Sequence, residues 1–109
     1  MADYENFYIV ENGAGLRLNY WDYADRFGNV DKSYSLMDWE HFDEDMKESI
    51  AEGMTDAEIK KEKIEDWVHT RFVDDFEGEY VDDSFDNCVK YLRKILTERY
   101  KRIKRGGKQ

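Results

Sequence analysis

Proline is absent from this chain, and cysteine occurs once, as Cys88. With no proline there is no proline-rich linker to divide the chain. A lone cysteine excludes an internal disulfide and fits a reducing compartment. Uncharged runs are only a few residues long, too short to cross a bilayer. The opening Met1-Ala2-Asp3-Tyr4-Glu5 has neither the basic nor the apolar region of a secretory signal. These absences predict a cytoplasmic protein with no membrane partner, in the host cell's cytoplasm where the gene is phage-borne. Catalytic motifs are missing too: there is no glycine-rich phosphate loop, no Gly-x-Ser-x-Gly and no Cys-x-x-Cys.

Basic residues are scarce over most of the length. Residues 1–89 hold eight Lys and Arg against 25 Asp and Glu, whereas residues 90–109 hold nine basic residues and one acid, Glu98. The 109 residues thus carry a formal net charge of −9, split into an acidic body and a basic end. Aromatics make up 16% of the chain, and rings of that size let a modest 40% hydrophobic content close a core. Disorder goes with few aromatics, so the acidic body reads as folded. The length suits one domain, residues 1–109.

The first third predicts strands. Asn6–Glu11 is short and apolar-rich, and Asn12-Gly13-Ala14-Gly15 suits a turn. Leu16, Leu18 and Tyr20 alternate with Arg17, Asn19 and Trp21, the period of a half-buried strand. Val30–Leu36 follows as a third strand. The rest predicts three helices. The first opens at Ser35-Leu36-Met37-Asp38, carries Trp39, Phe42, Met46 and Ile50 on one face, and closes at Gly53. Thr55-Asp56-Ala57-Glu58 is a capping box, with Ile64, Trp67, Val68, Arg71 and Phe72 as the stripe behind it. Asp83 or Ser84 caps the third helix, of about five turns, with Phe85, Cys88, Val89, Leu92, Ile95, Leu96 and Ile103 on its apolar face. The fold class is therefore α+β: an N-terminal three-stranded antiparallel meander, residues 1–36, packed against three helices within residues 37–105.

Candidate chemistry is thin. Asp38-Trp39-Glu40-His41 and Asp66-Trp67-Val68-His69 place a carboxylate and a histidine three apart, a di-iron-like spacing. Burying both tryptophans turns those polar groups outward, so no metal or cofactor is assigned. The run Asp74–Asp83 lacks the first and last ligands of an EF-hand loop. Cys88 falls on the apolar stripe, where a thiol serves packing. No catalytic residue is assigned, and the expectation is a protein that is not an enzyme.

The acidic rows are the stronger signal. Asp74, Asp75, Glu77, Glu79, Asp82, Asp83 and Asp86 form a run without a basic residue, and Glu40, Asp43, Glu44, Asp45, Glu48 and Glu52 follow the first helix. Extended residues two apart lie ~6.6 Å apart on one side, and a DNA strand carries one charge per ~3.4 Å. Two such rows approach the charge density of nucleic acid. In size, acidity and aromatic content the chain resembles the anti-restriction and anti-CRISPR proteins of phages and mobile elements. In the DNA mimics among these, carboxylates stand in for phosphates inside a basic channel. The resemblance implies an inhibitor that binds a basic nucleic-acid-handling protein, a CRISPR–Cas effector or a restriction nuclease. The partner-binding candidates are Asp74, Asp75, Phe76, Glu77, Glu79, Tyr80, Asp82, Asp83 and Asp86, with Asp43, Glu44, Asp45 and Glu48 from the first helix; Phe76 and Tyr80 are the aromatic anchors. The alternatives are an immunity- or antitoxin-like partner of a cationic toxin, and a small nucleic-acid-binding accessory protein using Lys90–Lys108.

Overall fold

The computed structural model describes residues 7–22, 30–76 and 83–106. Three strands, β1 (Tyr8–Glu11), β2 (Gly15–Asp22) and β3 (Val30–Asp38), pair antiparallel in the order β1-β2-β3. Leu16 and Leu18 are fully buried while Arg17 between them is exposed, so the period-2 pattern sets which face meets the helices. Asn12 builds the first hairpin, its side-chain oxygen accepting from the backbone N–H groups of Ala14 and Gly15, both at 2.9 Å.

Strand β3 runs to Asp38, two residues past the expected strand end at Leu36. A register shift explains it: Leu16 faces Met37 and Arg17 faces Ser35, leaving Leu36 as the extra residue of a bulge. The bulge lets the neighbours Leu36 and Met37 both be buried. Gly15 sits against the end of β3, where an added Cβ would overlap the carbonyl oxygen of Met37, so this close approach demands glycine.

Helix α1 (Trp39–Ala51) begins where Asp38 accepts the His41 N–H at 2.8 Å. It ends in a Schellman motif: Gly53 has φ 88°, its N–H reaches the Ile50 carbonyl at 3.0 Å, and the Met54 N–H reaches Ser49 at 3.2 Å. The capping box forms as the sequence predicts, Thr55 and Glu58 each bonding the other's backbone N–H.

Helix α2 then runs continuously over 56–76 but not as a plain α-helix. Ile59–Ile64 and His69–Val73 are π-helical, and Asp74–Phe76 is a 3₁₀ turn. On a 3.6-residue repeat Ile59 and Ile64 would point about 140° apart. Closing the turn at the fifth residue instead of the fourth brings both into the core.

Helix α3 (Asp83–Lys104) is 22 residues long, about six turns. Its buried row is Cys88, Leu92, Leu96 and Tyr100, with Phe85, Val89, Ile95 and Ile103 at the margins. One buried cluster joins Phe7, just before β1, and the sheet residues Leu16, Leu18 and Leu36 to residues of all three helices. The architecture is α+β, a three-stranded meander covered on one face by three helices.

Candidate functional site

The buried stripe of α1 is Trp39, Phe42, Met46 and Ser49. Asp43 and Asp45 flank this stripe on opposite sides, and each is taken up inside the fold. Arg99 of α3 donates to both carboxylate oxygens of Asp43, from Nε at 2.7 Å and from a terminal nitrogen at 2.8 Å, and its guanidinium stacks 4.2 Å from the centre of the Trp39 ring. On the other side the indole N–H of Trp67 donates to Asp45 at 2.8 Å, with Lys63 Nζ at 3.9 Å. Both aspartates are partly buried. They fasten α1 to α3 and α2.

Glu40, Glu44, Glu48 and Glu52 are all exposed and make no ion pair among the described residues. Residues four apart share a helix face at a rise of about 6 Å per step. The acidic cluster of the first helix therefore separates into two structural aspartates and an outward ridge of four glutamates. Sequence alone ranks Asp43, Glu44, Asp45 and Glu48 equally.

The second acidic row falls partly outside the described residues, where Glu77, Glu79, Tyr80 and Asp82 lie. Asp74, Asp75, Asp83 and Asp86 are exposed. They bracket one aromatic cluster, in which Phe72 and Phe85 stack at 4.7 Å and Phe7 meets Phe76 edge-on at 5.2 Å. Asp74 also approaches His69 Nδ1 at 4.0 Å. Phe76, expected to be a partner-binding anchor, is a ring of the protein's own core, 7% exposed and edge-on to Tyr20 at 5.3 Å. The 3₁₀ turn that ends α2 rotates it inward while its neighbours Asp74 and Asp75 stay in solvent.

The basic end is also divided. Arg93 forms a two-pronged pair with Glu65 of α2, at 2.8 and 3.0 Å, and Lys104 bonds Asp56 at the start of α2. The buried Tyr100 donates its hydroxyl to the same Asp56 carboxylate. Hydrogen bonds from Lys104 and Tyr100 hold the Asp56 carboxyl below the usual carboxylate range, and Asp56 in turn raises Lys104. Burial, then the bond to Asp56, raises the Tyr100 hydroxyl. Three basic residues of α3 thus clamp the acidic helices beneath it. The sequence pattern hides these pairs because their partners lie 28 to 56 residues away.

Both histidines are exposed. His41 Nδ1 lies 2.8 Å from Asp38, the residue that caps α1. The bond from the His41 N–H and then the ring hold Asp38 low, and Asp38 holds the imidazole above its ordinary value. His69 lies 3.6 Å from Glu65. Both Asp-Trp-x-His tryptophans are buried, and among the described residues no three His, Cys, Asp or Glu side chains gather as a metal set. Cys88 is buried. Among the described residues no helix is long and apolar enough to cross a membrane. No protein-family model, curated protein or solved structure matches the chain.

Proposed function

We propose that the protein is a non-enzymatic inhibitor acting in the cytoplasm, where its acidic face occupies the basic nucleic-acid channel of a nucleic-acid-handling protein such as a CRISPR–Cas effector or a restriction nuclease. The observation that carries this reading is the ridge Glu40, Glu44, Glu48 and Glu52. These carboxylates are exposed and without an ion pair among the described residues, in a fold that engages Asp43, Asp45, Asp56 and Glu65 internally. A helix-borne row with steps of about 6 Å gives a basic channel a regular series of anions. Complementary charge of this kind steers association and selects the partner.

The test is displacement of a labelled DNA duplex from purified Cas effectors and restriction nucleases. Wild-type protein should displace duplex from at least one of them, with potency falling as salt rises. Reversal of Glu40, Glu44 and Glu48 to Lys should cut potency at least tenfold while far-ultraviolet circular dichroism stays unchanged. No displacement at low salt, or an equally potent reversal variant, overturns the proposal.

A further inference from the structure

Once Arg93, Arg99 and Lys104 are assigned to their partners, a distinct set of cations remains on α3. Lys90, Lys94, Lys101, Arg102 and, in the turn just after the helix, Arg105 are exposed and have no ion pair among the described residues. At 3.6 residues per turn Lys90, Lys94, Lys101 and Arg105 fall within an arc of about 60°, opposite the buried Leu92–Leu96 row, and span about 22 Å along the axis, while Arg102 lies about 60° to one side. Glu98 interrupts the row midway. Tyr91, 38% exposed, stands beside its N-terminal end.

We infer that this ridge binds the phosphate backbone of a nucleic acid, independently of the acidic face. A protein partner needs an apolar centre from which water is excluded. Beside this ridge the large exposed apolar side chains are Tyr91 and its groove neighbour Tyr8, at the N-terminal end only, and the length of the ridge has no such centre. A polyanion of regular spacing needs only a straight series of cations, which the helix supplies. The Tyr91 ring adds a surface on which an unpaired base can stack, favouring single strands. The glutamate ridge sits on a different helix, and its repulsion is screened over about 10 Å at 0.1 M salt.

The experiment measures fluorescence anisotropy of labelled single-stranded RNA, single-stranded DNA and duplex DNA with the full chain, between about 50 and 200 mM salt. Four phosphate contacts predict a slope of log K against log salt of about −2.8 on single strands. Replacing Lys94 and Lys101 with Gln should halve that slope to about −1.4. Replacing Tyr91 with Ala should weaken single-strand binding by roughly tenfold or more and leave duplex binding unchanged. Neutralising Glu44 and Glu48 should leave oligonucleotide binding intact, which separates this site from the acidic face. The absence of binding at low salt, binding unaffected by the Lys94 and Lys101 changes, or equal competition by polyglutamate would overturn the assignment.

Discussion

At the scale of single residues, similar carboxylates have opposite relations to the fold. Asp43 receives two bonds from a guanidinium that also lies on Trp39. Replacing Arg99 with Ala removes both bonds and the stack, at a cost of about 1–3 kcal/mol in chemical denaturation. A double-mutant cycle with Asp43→Asn should show clear coupling, and additive effects would contradict the pairing. Asp45 accepts the indole N–H of the 9%-exposed Trp67. Asp45→Leu strands that donor and should cost about 1–3 kcal/mol, while Asp45→Asn keeps an acceptor and should cost less.

The cap pair makes a pH prediction. Asp38 is held low, so its contribution to stability is present above the ordinary carboxylate value and is lost as pH falls through its depressed one. His41 is held high, so its contribution is complete below 6.5 and disappears as pH rises through its elevated value. Nuclear magnetic resonance titration of the His41 ring should give a midpoint above 6.5, returning toward 6.5 in Asp38→Asn. Identical midpoints in the two proteins would contradict the pairing.

At the scale of elements, the legible features are those encoded by neighbours in sequence. The capping box at Thr55 and the stop at Gly53 depend on residues a few positions apart, and both form as read. Gly53→Ala forces a side chain into positive φ and should cost about 1–2 kcal/mol by denaturant titration. Phe76 and Ile59 are not legible in this way. A helical repeat assumes one pitch, and α2 changes pitch at both ends of its central turn. The apolar stripe expected for α3 leaves out Tyr100 for another reason: its hydroxyl is satisfied by Asp56, so a residue with a polar tip can continue the Leu92–Leu96 row. The strand extension to Asp38 escapes a period-2 reading because the bulge at Leu36 breaks the alternation.

At the scale of the whole molecule, the charge split visible in the sequence has two physical destinations. Arg93, Arg99 and Lys104 meet acids of α1 and α2, while Glu40, Glu44, Glu48 and Glu52 face solvent on α1 and Lys90, Lys94, Lys101 and Arg105 face it on α3. Which acid belonged to which group depends on helix packing over long sequence separations, so the pattern of acids alone marks a surface without sorting it. Among the described residues the outward glutamates make no ion pair, and Glu40 alone, in the first turn of α1, complements the helix dipole. Each successive pair is a like-charge contact four residues apart, and those near the C-terminal end of α1 also oppose its dipole. Keeping such a row has a stability cost that a partner would justify.

The most direct test is urea denaturation of Glu44→Gln/Glu48→Gln at low salt. Three like-charge contacts are relieved at about 0.2–0.5 kcal/mol each. The variant should therefore be more stable than wild type by about 0.6–1.5 kcal/mol, with the gain shrinking toward 1 M salt as screening takes over. A variant less stable than wild type would show that the ridge holds the fold together and is not a surface kept for a partner.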